Sequence, residues 1–190
     1  MPTPIPRILI LYAHPAPHQS RVNRQMADAA RSLGGVLVHD VYETYPDFYI
    51  DAGREQALLQ GAELVVFLHP IRWYGMPSLL KEWVDSVLTS GWAYGPGGTA
   101  LRGKNFWLAA STGSPEEAYQ AGERHGRPFE SYLPPFEQTA LLCGMRWWAP
   151  HILHGADGAD QAVVDAHVAT FRARLEAFLA TPVNGGNDGR

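Results

Sequence analysis

Four polar residues that can hold an anion lie within ten positions of one another near the start of the chain: His14, His18, Ser20 and Asn23. A hydroxyl and a side-chain amide donate hydrogen bonds, and an imidazole can add another. Ser20 also suits the N-cap of a helix beginning there, whose free amides favour negative charge. Plain N-capping would use the same serine without any ligand. The stretch lacks both G-x-G-x-x-G and the Walker pattern, which argues against a dinucleotide-binding Rossmann unit and against an NTPase. A phosphate monoester held mostly by amides, hydroxyls and one asparagine is instead an arrangement like that for flavin mononucleotide (FMN). His14 and His18 sit in a proline-rich loop without acidic partners, so no metal site is expected and His14 is read as a phosphate donor.

Two later stretches offer surfaces for a flat ring. Pro70-Ile71-Arg72-Trp73-Tyr74-Gly75 sets a Trp–Tyr pair beside a glycine, giving aromatic walls and backbone amides. A hydrophobic plug on the next helix would have the same composition. Ser111-Thr112-Gly113-Ser114 is small enough to bring backbone close to a planar ligand. Downstream, Tyr119 and His125 would supply a phenol and an imidazole able to stabilise an anionic reduced flavin and pass on a proton. Surface placement is the alternative for both. No G-x-S-x-G and no Ser or Cys beside an evident base occurs, so a hydrolase is not expected. Trp83, with Leu79 and Val87 at i−4 and i+4, reads as core.

These loops need a frame. Ile8–Tyr12, Leu64–Leu68 and Asn105–Ala110 are continuous apolar runs, as strands buried on both faces are. Val36–Tyr42 is a β-branched, partly alternating strand, and Trp147–Ile152 is a fifth. Helices are expected over Ser20–Leu33, about Arg54–Gln60, Pro77–Thr89, Phe136–Leu142 and Asp160–Leu179, with Gly34-Gly35 stopping the first and Pro77 in the first turn of the third. That alternation predicts an α/β, flavodoxin-like fold: a five-stranded parallel sheet of order 2-1-3-4-5 with helices on both faces. The first strand is then central, and the unusual loops converge at the carboxyl edge beside it. Residues 1–180 are expected to form a single domain, and 181–190 a flexible Gly/Asn tail.

The totals agree. With 190 residues, 46% hydrophobic and 18% charged, the chain suits one soluble globular domain. A formal charge of −4, with 15 Lys and Arg scattered and no basic run, gives no reason to expect nucleic acid. The single cysteine, Cys143, allows no internal disulfide and reads as a buried core thiol in a reducing compartment. Neither a signal peptide nor a bilayer-length apolar run is evident, so a cytoplasmic location is expected. The six tryptophans point to a flat ligand or a sizeable interface.

Several motifs occur together between residues 7 and 150: Tyr12-Ala13-His14-Pro15 with Ser20-x-x-Asn23, Tyr45-Pro46-Asp47-Phe48, His69-Pro70-x-x-Trp73-Tyr74-x-x-Pro77, Gly91-Trp92-Ala93-Tyr94-Gly95 and the Thr112-Gly113 loop. In combination they resemble the flavodoxin-like NAD(P)H:quinone oxidoreductases. More narrowly, they resemble the small bacterial ancillary flavoproteins of glutathione-regulated potassium-efflux antiporters. The resemblance implies bound FMN, NADH or NADPH as electron donor, and a quinone or similar acceptor. Carried over by position, it implies that His14, Ser20, Arg21, Val22 and Asn23 meet the phosphate side. It implies that Ile71, Arg72, Trp73 and Tyr74, with Ser111, Thr112, Gly113 and Ser114, surround the ring, and that Tyr119 and His125 assist hydride transfer. Ser114 stands where the family commonly has glycine. The family also implies a homodimer with the flavin near the interface, with which Trp92, Tyr94, Trp147 and Trp148 are compatible. The rival function is a regulatory subunit that binds and activates a membrane potassium/proton antiporter, which would hold the chain peripherally on the inner face of the cell membrane. A one-electron carrier fits less well, because neither a short Gly-rich phosphate loop nor an acidic surface is evident.

Overall fold

A computed structural model of the protein describes residues 6–182, so most of the expected flexible tail lies outside the described residues. Three strands buried but for the end residues Pro70 and Asn105 form the centre: β1 (Ile8–Tyr12), β3 (Leu64–Pro70) and β4 (Asn105–Ser111). Their apolar runs leave no solvent face, and parallel strands covered on both sides are where such runs are stable. β2 (Val36–Asp40) flanks β1, and β5 (Arg146–Trp147) and β6 (His151–Leu153) both pair with β4. All pairings are parallel, in the order β2-β1-β3-β4-β5. The register sets Ile8 beside both Val36 and Leu64, and Leu64 beside Asn105, so the strands end at one common edge.

Alternation along these strands feeds two cores. Ile8, Ile10, Val66 and Trp107 pack on α1 (Val22–Arg31) and α6 (Gln161–Ala180) through Met26, Ala30, Phe171 and Leu175. Leu9, Leu11, Val65 and Phe67 pack on the other face against α3 (Ala52–Gly61), α4 (Ser78–Val87) and α5 (Pro134–Leu142). Each fully buried side chain of this size stabilises the fold by roughly 1.5–3 kcal/mol. Trp83 is core, as its spacing predicts, and so is Cys143.

The second core holds one buried carboxylate. Glu55 accepts from Tyr45 Oη at 2.6 Å and Trp83 Nε1 at 2.8 Å, with His39 Nε2 3.0 Å away. These donors outweigh its burial and hold the carboxyl below its ordinary range. Burial, with the same contact to Glu55, pushes the Tyr45 phenol well above its ordinary range. The cluster ties β2, α3 and α4 together beneath the sheet edge.

The structure corrects several sequence expectations. The second strand ends at Asp40, because its carboxylate accepts from the Tyr42 and Glu43 amides and starts a one-turn helix, α2 (Val41–Thr44). The first helix begins at Val22 rather than Ser20, with Arg21 at its N-cap. Pro77 is the N-cap of α4, not a first-turn residue. The fifth strand is two pieces: Trp148 N still donates to Phe106 O at 2.9 Å, but Pro150 has no N–H for the ladder. The sheet therefore has six strands rather than five. β6 carries the chain up alongside Ser111 and delivers His154–Gly158 to the carboxyl edge. Among the described residues, no helix is long and apolar enough to cross a membrane.

Candidate functional site

A cleft of about 590 Å³ opens at the carboxyl edge of the sheet, between the ends of β1, β3, β4 and β6. This is where ligands enter open α/β sheets. The lining includes His14, Ser20, Arg21, Val22, Asn23, Ile71, Arg72, Trp73, Ser111, Thr112 and Gly113. Tyr74 and Ser114, expected beside the ring, are not part of it. Gln19, Pro70, Ala156 and Asp157 are additions.

The floor is a set of donors. Ser20 Oγ accepts from Tyr12 Oη at 3.0 Å and from the Arg24 amide at 3.1 Å. Both of its lone pairs are thereby used, and its own proton remains to be donated. Asn23 is only 2% exposed, yet neither its Nδ2 nor its Oδ1 has a partner within the protein. A buried amide with neither end satisfied costs about 1–3 kcal/mol and is a place for a ligand atom. His14 Nδ1 accepts from the Ala16 amide at 3.1 Å, so the neutral ring carries its proton on Nε2. Burial, with the Arg72 charge nearby, holds His14 below the ordinary imidazole range. It is therefore a neutral donor at neutral pH. Arg21 is a strut as well as a charge: its Nη1 donates to Ala159 O at 2.7 Å and its Nη2 to Gln161 Oε1 at 3.0 Å, at the start of α6.

Two walls rise from this floor. Arg72–Gly75 is a tight turn closed by Arg72 N to Gly75 O at 2.9 Å and Gly75 N to Arg72 O at 3.0 Å. Trp73 (φ 49°) and Tyr74 (φ 64°) occupy its centre in the left-handed region. Side chains resist that conformation, and the pair would suit Asn-Gly better. Trp73 is nevertheless held 95% exposed at the cleft mouth. The opposite wall is Thr112–Gly113 against the loop after β6. A Cβ on Gly113 would stand 2.9 Å from Asp157 Oδ2, so a larger residue there would push the Asp157 carboxylate aside. Ser114 instead turns its carbonyl to Thr112 Oγ1 at 2.7 Å and to the Gly155 amide at 2.8 Å.

Tyr119 and His125 come together, but behind this wall rather than on the cleft surface. Their rings stack with centroids 4.2 Å apart at 14°. His125 Nδ1 lies 3.4 Å from Tyr74 Oη, and the Tyr132 hydroxyl donates to the His125 carbonyl at 3.1 Å. Burial pushes the Tyr119 phenol up, so it stays protonated at neutral pH, and it interacts with the Thr112 and Ser114 hydroxyls. His125 Nε2 is buried without a partner.

Gln19 and Pro70 adjoin residues expected in the site, whereas Ala156 and Asp157 come from a loop that was not expected there. Ala156 and Asp157 follow the last strand, and the rule that places ligands at strand ends applies to that loop too. Its run His154-Gly155-Ala156-Asp157-Gly158 was the available signal.

Comparison with known proteins adds to this geometry. A sequence model of a family described as Flavodoxin-like fold matches residues 6–175. The chain is 44% identical over 171 residues to the glutathione-regulated potassium-efflux system ancillary protein KefF of Salmonella dublin, covering 90% of this chain and 96% of that one. Among solved structures, the general stress protein 14 of Treponema denticola in complex with FMN is 38% identical, with a TM-score of 0.84 over 90% of this chain and 99% of that one. A chain described as a thermophilic tryptophan halogenase from Streptomycin violaceusniger is 41% identical, with a TM-score of 0.84 over 88% and 97%. An NADPH-quinone reductase from P. pentosaceus is 26% identical, with a TM-score of 0.79 over 94% and 99%. The functional names of these proteins differ; what they share with this chain is the fold.

Proposed function

The chain belongs to the flavodoxin-like fold family, and on that footing we propose that it is an FMN-dependent NAD(P)H:quinone oxidoreductase. The observation that carries the reading is Asn23: a buried amide with neither end satisfied, lining the cleft with Ser20 at the start of α1. A phosphate oxygen supplies the acceptor these donors lack, and the two walls leave a slot for a planar ring. FMN, when bound, accepts an electron pair from a reduced nicotinamide and gives it up to a quinone. The protein's part is to bind, orient and exclude water. Ser20, Asn23 and neutral His14 offer hydrogen bonds to the phosphate. Ile71 and Trp73 face Thr112 and Gly113 across the ring slot. Tyr119 and His125 hold a protonated phenol and a free imidazole nitrogen immediately behind it.

The 38% identical relative solved with FMN and the 26% identical NADPH-quinone reductase support this reading. Titrating flavin-free protein into FMN and following its fluorescence tests it. Stoichiometric quenching is expected, and absence of quenching at micromolar protein would remove it.

A second role is compatible with the first. The likeness to KefF, across nearly the whole of both chains, supports an ancillary subunit that docks on a potassium/proton antiporter from the cytoplasmic side. Co-purification with such an antiporter, and faster potassium efflux in its presence, are the expected results. We also read residues 1–180 as one working domain and the chain as a homodimer; Trp92, Tyr94, Trp147 and Trp148 pack partly buried against the two cores, and the rings of Tyr49 and Trp73 are exposed.

A further inference from the structure

Behind the Thr112–Ser114 wall stands His154, which neither lines the cleft nor belongs to the Tyr119–His125 pair. Its Nδ1 is 3.0 Å from Thr112 Oγ1. The Thr112 hydroxyl has a single proton, and it goes to the Ser114 carbonyl 2.7 Å away, which can only accept. Toward His154, therefore, Thr112 presents a lone pair. The Tyr119 phenol also hydrogen-bonds the Thr112 hydroxyl, and with the single Thr112 proton committed to Ser114 the phenol is the donor in that contact.

We infer that His154 is a positioning residue: with its proton on Nδ1, it holds the Thr112 hydroxyl on the Ser114 carbonyl and so keeps a Thr112 lone pair open to the Tyr119 phenol. The rest of the loop is already bolted by backbone. Thr112 N donates to Leu153 O at 2.9 Å, Ala156 N to Thr112 O at 2.8 Å and Gly155 N to Ser114 O at 2.8 Å. The hydroxyl protons of Thr112, Ser114 and Tyr119 remain to be oriented, and His154 sets the first of them. Were its proton on Nε2, Thr112 would turn to donate to Nδ1, the Ser114 carbonyl would lose a donor and Tyr119 would face a different pattern. The imidazole is itself locked, with Phe129 edge-on at 4.8 Å and 86° and Tyr119 tilted at 5.5 Å. Burial holds it below the ordinary range despite the pull of Glu116, Glu117 and Glu130, which leaves a neutral ring with one tautomer to choose.

The catalytic consequence rests on the FMN reading, whereas the tautomer does not, so the test has two arms. Long-range 15N–1H NMR of histidine-labelled protein, with His154 assigned by the signal lost in His154→Asn, should show Nδ1 protonated and Nε2 bare near neutral pH. An Nε2–H ring overturns the inference with or without flavin. In the second arm, FMN-loaded protein is reduced anaerobically. Asn places an N–H near the former Nδ1, whereas Gln reaches toward Nε2. His154→Gln should slow reduction about tenfold and His154→Asn by less than about twofold, since small displacements at a reacting centre are costly. FMN affinity should be equal in all three proteins. Equal rates in His154→Gln and wild type, or equal slowing in both variants, would contradict it. A protein that binds no FMN defeats the flavin reading alone, because the NMR arm still decides where the proton lies.

Discussion

The Tyr12 phenol donates to Ser20 Oγ across 3.0 Å, linking the end of the central strand to the start of α1 inside the cleft. That bond leaves Ser20 with a proton and no internal acceptor. Ser20→Ala should therefore weaken FMN binding by tenfold or more, since a hydrogen bond to a charged group contributes about 1.5–3 kcal/mol. Tyr12→Phe keeps the Ser20 donor and should cost less than about threefold. Fluorescence titration separates the two, and equal losses would remove Ser20 as a direct donor.

Asn23 makes a trade between stability and binding. Without ligand its amide is buried and unpaired. Asn23→Leu removes that cost and should raise the stability of flavin-free protein by about 1 kcal/mol while lowering FMN affinity at least tenfold. Thermal melts of the apo protein and a titration check both halves. A less stable variant with unchanged affinity would mean that Asn23 is a structural polar group only.

The left-handed Trp73–Tyr74 pair stores strain of about 1–3 kcal/mol per residue. Replacing it with Asn-Gly should stabilise the apo protein in urea by about 1–2 kcal/mol. Quinone-dependent turnover should fall, because the exposed indole at the cleft mouth is lost. A destabilised double variant would show that these rings brace the loop.

How much of this could be read in advance depends on whether a residue's role is local. The runs Ile8–Tyr12, Leu64–Leu68 and Asn105–Ala110 announce central strands because burial on both faces imposes its own composition, and the structure has them there. The fifth strand breaks at Pro150, whose missing donor is visible in the sequence. Asp40 sits in a β-branched run that composition alone extends to Tyr42, and its capping carboxylate ends the strand at Asp40 itself. The first loop's donors were legible as a cluster because they are close in sequence. Tyr119 and His125 were legible largely through family resemblance, and no spacing could have set them behind the Thr112 wall. His154 and Asp157 matter only because β6 pairs with the end of β4, a contact between positions some forty residues apart.

Acid should destabilise the fold in a defined window. Unfolded, a histidine takes up a proton near pH 6.5. In the native structure burial pushes His69 and His167 down to about 4. Between those values the unfolded chain binds more protons, so stability is complete above neutrality and falls as the pH drops from about 6.5 toward 4. Fully buried His69 should contribute about 1.4 kcal/mol per pH unit across that window. Half-buried His167, more screened, should contribute less. Urea midpoints at pH 7 and 5 test this, and an unchanged midpoint would contradict it.

The central claim is that this cleft holds FMN for two-electron traffic from a reduced nicotinamide to a quinone. The most direct measurement is the anaerobic visible spectrum of FMN-loaded protein, titrated with NADPH or NADH and then with quinone. The account predicts stoichiometric bleaching of the flavin band by at least one nucleotide, and its return on adding quinone. A flavin that stays oxidised with both nucleotides, or one that quinone cannot reoxidise, would contradict it.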